Sequence, residues 1–176
     1  MPDLAIDKVE VYVFRRRSGR AQFLALRRGR RKTLPGIWQP VTGKLEPRET
    51  PIDAALRELR EETGLVPLTL WRLEVTTLCL ESTGRRLMAL PLFAAEVSPT
   101  AAVRLSNEHV ESRFMSAAAA RRLYLWDSQR KGLDAIERQI LPGGALARAL
   151  ELDVRPTRSA RSARSRTTST TPRARR

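Results

Sequence analysis

Residues 43–49 read Gly-Lys-Leu-Glu-Pro-Arg-Glu, and residues 57–65 read Arg-Glu-Leu-Arg-Glu-Glu-Thr-Gly-Leu. Glu58, Glu61 and Glu62 are spaced by three and four residues, so on a helix they share one face. Three like charges on one face repel each other, and this repulsion does not stabilise a helix that has only a structural role. A divalent cation would reverse the sign of that interaction. The spacing therefore favours a metal site.

The residues around these glutamates predict a helix of about three turns. Thr50 is a good N-cap, and Pro51 suits the first helical position. Asp53 follows three residues after Thr50, where its carboxylate complements the helix dipole. Gly64 supplies the left-handed residue that ends the helix. The apolar stripe consists of Ala55, Leu56 and Leu59. A loop, a helix and a second loop are therefore expected.

The same stretch matches a known family pattern at every fixed position. The pattern is G-x5-E-x7-R-E-U-x-E-E-x-G-U, with U an aliphatic residue, and it runs from Gly43 to Leu65. The chain therefore resembles the Nudix hydrolases. The resemblance implies an α/β fold with a mixed β-sheet in an α/β/α sandwich and a loop-helix-loop catalytic motif. It also implies hydrolysis that depends on Mg²⁺, with Mn²⁺ as an alternative.

By this resemblance the motif residues have separate roles. Glu58, Glu61 and Glu62 would bind the metal, and one of them would double as the base. Arg57 would orient a carboxylate, and Glu49 would hold the loop-helix-loop together by hydrogen bonding. Which glutamate is the base stays open, because the family varies in this.

Two glycines and a fourth acid complete the site that the resemblance implies. Gly43 permits the tight backbone that brings the preceding strand onto the metal, and Gly64 belongs to the structure of the motif. The family has another acid in a late loop, for which Glu108 is our candidate and Glu111 the second choice. The expected metal ligands are Glu58, Glu61, Glu62 and Glu108, and the expected catalytic residues are Glu58, Glu61, Arg57 and Glu108. His109, the only histidine, has an assisting or a structural role.

Two segments outside the motif resemble one subfamily, the bacterial dihydroneopterin triphosphate pyrophosphatases. Residues 38–43 read Trp-Gln-Pro-Val-Thr-Gly, and residues 126–131 read Trp-Asp-Ser-Gln-Arg-Lys. Together with the motif, the resemblance covers roughly residues 7–141. It implies release of pyrophosphate from dihydroneopterin triphosphate in folate biosynthesis, or from a deoxynucleoside triphosphate such as dATP. Arg48, where many members have glycine, and Phe114, in place of the usual tryptophan, depart from the subfamily.

Candidate substrate contacts lie before the motif and at its first residue. Arg27 and Arg28 would hold the triphosphate, although a solvated basic loop is the alternative. Trp38 would stack on a pterin or purine, or else belong to the core. Gln39 and Gly43 are the remaining predicted substrate contacts.

Other functions remain open within and outside the enzyme class. One is a housecleaning or dinucleoside polyphosphate hydrolase, but Thr83 lies where the dinucleoside enzymes carry a tyrosine. Another is a noncatalytic Nudix module that binds a nucleotide or RNA. Such a module has no reason to keep all of Glu58, Glu61 and Glu62, so a catalyst is favoured.

Composition divides the chain into a Nudix domain at residues 1–152 and a basic disordered tail at residues 153–176. Eight of the 33 basic residues lie between Arg155 and Arg176, so the tail supplies more than half of the net charge of +14. A tail poor in large apolar residues does not fold alone. It either contacts nucleic acid nonspecifically or only aids solubility.

No membrane span is expected, and a single cysteine, Cys79, suits the cytoplasm. Family members are often homodimers.

The hydrophobic pattern predicts a mixed sheet with helices on both faces. The predicted strands are residues 6–15, 21–26, 37–41, 69–80, 86–97 and 113–115. The predicted helices after the motif are residues 116–123, 127–141 and 145–152. A turn at residues 82–84 and a loop at residues 106–111 connect them.

Overall fold

The computed structural model of the chain describes residues 3–81 and 83–154. The strands are β1 (Asp3–Ala5), β2 (Lys8–Arg17), β3 (Arg20–Arg28), β4 (Trp38–Gln39), β5 (Val41–Lys44), β6 (Thr69–Leu80), β7 (Arg86–Glu96), β8 (His109–Met115) and β9 (Glu151–Leu152). The helices are α1 (Pro51–Thr63), α2 (Ala117–Leu123), α3 (Asp127–Gln139) and α4 (Gly144–Leu150). The predicted basic tail from residue 155 onward lies outside the described residues, as does Ser82 of the predicted turn.

The strands form one mixed sheet, as predicted. Its main path has the order β4-β3-β2-β7-β6-β9. Strand β2 pairs with β7 in parallel and with β3 and β5 in antiparallel fashion. Strand β8 pairs with the other side of β3. Because β5 precedes α1 by only a short loop, the pairing of β5 with β2 fixes the start of the motif at residues 43–65 against the centre of the sheet.

Helices cover both faces of this sheet, so the α/β/α sandwich is confirmed. Strand β2 shows why, since side chains alternate between the two faces of a strand. Val9 and Val11 pack toward α1, whereas Tyr12 and Phe14 belong to the second apolar cluster, which also contains residues of α2 and α3. Helix α1 thus buries its apolar side against one half of the core, and α2 and α3 bury theirs against the other half.

Helix α1 begins and ends as its sequence predicts. The Thr50 hydroxyl accepts a hydrogen bond from the Asp53 backbone N–H at 3.2 Å, and Pro51 is the first helical residue. Gly64 adopts a φ of 68° and donates its N–H to the Arg60 carbonyl at 2.8 Å. The predicted capping signals therefore all form, and they fix the direction in which the glutamates point.

Several predicted boundaries differ from the structure, and three of the differences lie after the hairpin of β6 and β7. The loop predicted at residues 106–111 ends at Glu108, because His109 already pairs with Arg28 in the sheet. The helix predicted at residues 127–141 ends at Gln139. The last helix covers Gly144–Leu150 only, and the next two residues pair with β6 as β9. In the described part of the chain, no helix is long and apolar enough to cross a membrane.

Candidate active site

A cavity of about 700 Å³ opens between α1, strand β5 and the loop that precedes β8. Its acidic lining residues are Glu58, Glu61, Glu62 and Glu108, and its basic ones are Lys8, Arg28 and Lys44. A cavity of this volume suits a ligand of nucleotide size. The structure therefore brings all four predicted metal ligands to one opening, with cationic side chains around them.

Glu58 is held against the strand by the absence of a side chain at position 43. A Cβ on Gly43 would overlap the carboxyl group of Glu58, so only glycine leaves room for this arrangement. Burial raises the pKa of Glu58, while a hydrogen bond from Arg57 opposes that rise. Glycine at this position thus lets the helix and the strand approach closely enough to share one cavity wall.

Arg57 connects the loop before α1 with the helix itself. Its Nε and Nη2 donate to the two carboxylate oxygens of Glu49, each at 2.8 Å. Nη1 donates to Glu58 at 2.8 Å and to Glu61 at 3.1 Å, and Nη2 also reaches the carbonyl of Lys44 at 2.8 Å. The bond from Arg57 and a backbone N–H from Glu46 lower the pKa of Glu49 to about 2. The predicted orienting and bracing contacts therefore both form.

Glu62 is the least satisfied acidic group of the site. Its side chain is buried, with 4% of the residue exposed, and its Oε2 has no hydrogen-bond partner among the described residues. Burial, followed by the charges of Glu58 and Glu108, raises the pKa of Glu62 to about 9. Burying a carboxylate without a partner is costly, so a bound cation would stabilise this arrangement.

Glu108 reaches the cavity because the loop before β8 is fastened at both ends. Ser106 N–H donates to the carbonyl of Glu62 at 3.2 Å, and Gly29 N–H donates to the carbonyl of Glu108 at 2.9 Å. The carboxylate accepts from Lys32 Nζ at 2.7 Å, which lowers the pKa of Glu108. The second choice, Glu111, does not line this cavity and is instead paired with Arg113 and Arg27. Of the two predicted acids, the structure places Glu108 at the cavity.

The predicted substrate contacts divide into two groups. Arg28 and Gly43 line the cavity. Arg27 points away and pairs with Glu111 at 3.3 Å, because neighbouring residues of β3 face opposite sides of the sheet. Trp38 packs against the core cluster, with the Arg113 guanidinium 5.2 Å from its ring centre. The structure therefore does not bring Arg27 or Trp38 to the cavity that holds the carboxylates.

Gln39 lines a second cavity of about 480 Å³ on the α3 side of the sheet. The two cavities share Lys8, Arg28, Thr33 and Thr42, so they adjoin. The Gln39 amide donates to Thr42 Oγ1 at 3.1 Å, which holds this side chain at the boundary. The site as a whole is a charged chamber next to a mainly apolar one.

His109 lies buried beside the charged chamber. Neither ring nitrogen has a hydrogen-bond partner in the described part of the chain. Burial, and then the charge of Arg28, lowers the pKa of His109 to about 4. The imidazole is therefore neutral at pH 7, and its packing between strands fits the structural role better than the assisting one.

The donor set fits a hard divalent cation such as Mg²⁺, since it consists of carboxylate oxygens and includes the orphaned Oε2 of Glu62. Among residues 3–81 and 83–154, however, no three acidic, histidine or cysteine side chains already converge as a metal cluster. Glu61 is turned to Arg57 and Glu108 to Lys32. These two side chains are 58% and 42% exposed, so both can change rotamer toward the cavity.

Sequence reasoning missed the basic rim and the polar residues of the second cavity. Lys8 and Lys44 are partners in the register of β2 and β5, which no local pattern reveals. Glu10 and Gln129 are buried polar residues on β2 and α3. A signal for Glu10 was present, because it interrupts the apolar run of residues 9–14 that predicts a buried strand.

Known protein families provide an independent comparison. A family model described as the NUDIX domain matches residues 7–136. A protein of Myxococcus xanthus named octanoyltransferase is 41% identical over 102 residues, which is 57% of this chain and 28% of that protein. The chain thus spans less than a third of the length of this curated relative, and the likeness concerns only the shared segment.

Solved structures share the fold. The Ap4A hydrolase of Caenorhabditis elegans has a TM-score of 0.64 at 22% identity, covering 76% of this chain and 96% of its own. The MutT protein of Methanosarcina mazei has a TM-score of 0.58 at 25% identity, covering 78% and 95%. The dihydroneopterin triphosphate pyrophosphohydrolase of Escherichia coli has a TM-score of 0.61 at 23% identity, covering 76% and 99%. The likeness therefore extends over the domain that carries both cavities.

Proposed function

The chain belongs to the Nudix family, and we propose that it is a hydrolase of pyrophosphate bonds with the following reaction. It hydrolyses a nucleoside or pterin triphosphate, in the presence of Mg²⁺, to the monophosphate and pyrophosphate. The observation that carries this proposal is the composition of the charged chamber. Four carboxylates for a cation face Lys8, Arg28 and Lys44, which suit the phosphates of the same substrate.

The cation would be held by Glu58, Glu61, Glu62 and Glu108. Bound there, it would neutralise phosphate oxygens and thereby favour attack at phosphorus. Glu62 is the anchor in this proposal, since its buried oxygen has no other partner in the described structure. Mn²⁺ has the same preference for oxygen ligands and is the expected substitute.

The remaining residues bind, orient and move protons. Arg28, Lys8 and Lys44 bind phosphate oxygens from the rim of the chamber. Arg57 fixes the carboxylate of Glu58, and Glu49 in turn fixes Arg57. One carboxylate among Glu58, Glu61 and Glu108 accepts a proton from the attacking water at its Oε atoms.

The adjoining apolar chamber supports a substrate with a heterocyclic ring. A triphosphate in the charged chamber can extend past the shared residues Lys8, Arg28 and Thr42 toward the second cavity. The likeness in fold to a dihydroneopterin triphosphate pyrophosphohydrolase is consistent with this substrate class. We therefore favour dihydroneopterin triphosphate or a deoxynucleoside triphosphate, which makes a place in folate biosynthesis part of the proposal.

A substrate panel tests this function. Dihydroneopterin triphosphate, the four deoxynucleoside triphosphates and Ap4A are supplied with Mg²⁺, and pyrophosphate is assayed separately from phosphate. We expect pyrophosphate from at least one triphosphate, and a loss of turnover by orders of magnitude in Glu61→Gln. The matched control Glu74→Gln removes an exposed carboxylate from β6 and should keep full activity. Cleavage of Ap4A alone, or full activity in Glu61→Gln, would overturn the proposal.

We also propose that residues 1–152 form the catalytic domain and that the tail from residue 153 is dispensable for small substrates. Among the described residues, those that line the two cavities run from Lys8 to Gln129. A truncation that ends at Val154 should therefore retain its kcat/KM. A loss of more than about tenfold would show that the tail takes part in binding.

A further inference from the structure

The apolar chamber has a carboxylate in its wall. Glu10 is the third residue of strand β2, is only 5% exposed, and lines the cavity together with Gln39 and Gln129. The mainly apolar surroundings include Leu34, Ile37, Met88 and Leu90. An acidic side chain is almost never this buried unless it is paired or has a function. The proposed phosphate chemistry makes no use of Glu10.

The carboxylate of Glu10 is held in one position by its neighbours. The Tyr12 hydroxyl donates to Oε2 of Glu10 at 2.9 Å. Gln129 also hydrogen bonds to this carboxylate, and its own Oε1 accepts from the Trp126 backbone N–H at 3.4 Å. Tyr12 in turn fits closely over Gly132, where any Cβ would overlap its ring. Glu10 is thus an acceptor that is fixed in place before a ligand arrives.

A fixed carboxylate beside an apolar slot recognises a particular ring edge. Its two oxygens accept parallel N–H bonds, so they match a ring that offers an N–H and an adjacent amino group. A 2-amino-4-oxo ring, as in guanine or a pterin, presents that pair. Adenine offers an amino group beside a ring nitrogen that is itself an acceptor, so one of its positions would face the carboxylate without a proton.

Resting on the proposed function, we propose that Glu10 is the specificity-determining residue that selects triphosphates with a 2-amino-4-oxo ring, guanine or pterin, over adenine. The triphosphate lies in the charged chamber, and the ring lies in the apolar chamber against Glu10. Trp126, half exposed at the start of α3, covers the ring from the mouth of this chamber. Dihydroneopterin triphosphate and dGTP are then substrates of one class, and dATP is the discriminated one.

The isosteric variant Glu10→Gln tests this assignment. A glutamine offers one acceptor and one donor, which matches adenine rather than guanine. We expect the native protein to prefer dGTP and dihydroneopterin triphosphate over dATP by about 10- to 100-fold in kcat/KM. The variant should lose that factor on the first two substrates and keep or improve its rate on dATP. Glu74→Gln, on the exposed surface of β6, is the matched control and should retain the native preference.

Two outcomes would overturn the assignment. One is an equal loss on all three triphosphates in Glu10→Gln, which is what a purely structural role predicts. The other is a native preference for dATP. Tyr12→Phe gives a second, independent variant, because it removes the hydroxyl that holds the carboxylate and leaves the ring in place. We expect a smaller loss of the same preference, whereas an unchanged preference would contradict the role of Tyr12 in positioning Glu10.

Equilibrium binding separates this inference from the proposed function. The α,β-imido analogues of dGTP and dATP resist cleavage at the proposed bond, so calorimetry reports ring recognition without turnover. If the native protein binds the dGTP analogue more tightly and Glu10→Gln does not, the assignment stands even when no triphosphate is hydrolysed. If both analogues bind equally well to the native protein, the assignment of Glu10 is wrong even when pyrophosphate is released.

Discussion

Glu62 and Glu10 are the same residue type at almost the same burial, but they have different surroundings. Both are about 5% exposed or less, and burial raises the pKa of each. Glu10 accepts a hydrogen bond from Tyr12 and faces an apolar chamber. Glu62 has an oxygen without a partner among the described residues and faces two further carboxylates. Glu10 therefore has a hydrogen-bond donor from the protein itself, whereas one oxygen of Glu62 has none in the described structure.

This difference indicates what each chamber binds. Carboxylates that repel one another are stabilised by a cation, because it replaces repulsion with attraction. A single carboxylate held by neutral donors has no such need and is suited to N–H groups of a ligand. We therefore propose that the charged chamber holds the reacting phosphates and that the adjoining apolar chamber recognises the ring, although both use glutamate.

The largest expected effect separates the two glutamates by activity. Glu62→Gln removes a charge from the proposed metal site, so kcat with Mg²⁺ should fall about 10²- to 10⁴-fold for every triphosphate. Glu10→Gln should instead change the preference among triphosphates. Steady-state kinetics on dGTP and dATP distinguish the two patterns. A Glu62→Gln enzyme that keeps its kcat but changes its preference among triphosphates would contradict the role of Glu62 in catalysis.

The next effect is on the pH dependence of stability in metal-free protein. Glu62 ionises near 4.5 when unfolded but only near 9 when folded, so the folded state holds more protons between these pH values. The free energy of unfolding contributed by this group therefore falls as pH rises from 4.5 to 9. We expect Glu62→Gln to be more stable than the native protein by on the order of 3 kcal/mol at pH 8, and by little at pH 4.

Urea denaturation at the two pH values, with a chelator present, measures this difference. Adding Mg²⁺ at pH 8 should then stabilise the native protein and leave the variant almost unchanged. Glu10→Gln provides the contrast, because Tyr12 and Gln129 already offset part of the burial cost of Glu10. An equal pH response in both variants would mean that the orphaned oxygen of Glu62 has no special role.

Two glycines allow the same comparison through packing. A Cβ at Gly43 would displace the Glu58 carboxyl group, and one at Gly132 would displace the ring of Tyr12. Gly43→Ala should lower kcat/KM by about 10- to 100-fold with little change in stability. Gly132→Ala should lower the free energy of unfolding by about 1–3 kcal/mol, because Tyr12 lies in the core. Thermal unfolding and kinetics on both variants check this, and a stability loss in Gly43→Ala that exceeds its activity loss would contradict it.

The smallest effect concerns the brace beneath the charged chamber. Glu49→Gln breaks the paired hydrogen bonds to Arg57 and should cost about 1 kcal/mol at pH 7. Because the pKa of Glu49 is lowered to about 2, this stabilisation is present above the unfolded pKa and is lost as pH falls from 4.5 to 2. Chemical denaturation of the variant and the native protein should therefore differ at pH 7 and agree near pH 2. A constant difference would point to lost packing instead.

The sequence predicts the charged chamber better than the apolar one for a physical reason. Glu58, Glu61 and Glu62 lie on one helix whose caps, Thr50 and Gly64, are local signals, so their shared face follows from spacing alone. The sandwich also follows, since strand β2 alternates between two apolar faces. Glu108 could be predicted only from the family resemblance, which implies a further acid in a late loop.

The apolar chamber depends on contacts far apart in the chain. Glu10 and Gln129 meet only because α3 packs on β2, and Lys44 joins Lys8 only through strand register. Arg27 and Trp38 were predicted substrate contacts because of their positions in the sequence. In the structure, Arg27 pairs with Glu111 and Trp38 packs against the core. The alternation along β3 turns Arg27 and Arg28 to opposite sides, but the pairing of Arg27 with Glu111 and the packing of Trp38 into the core depend on residues distant in the chain.

Proton release on Mg²⁺ binding is the sharpest test of Glu62 as a metal ligand. At pH 7.5 the raised pKa keeps Glu62 protonated in the metal-free protein, so cation uptake must displace that proton. Titration calorimetry with Mg²⁺ and the α,β-imido analogue of dGTP, repeated in buffers of different ionisation enthalpy, counts the protons. We predict release of about one proton per Mg²⁺ in the native protein and none in Glu62→Gln. Heats that do not depend on the buffer, or Mg²⁺ binding that is the same in both proteins, would contradict the proposal that Glu62 loses a proton to bind the metal.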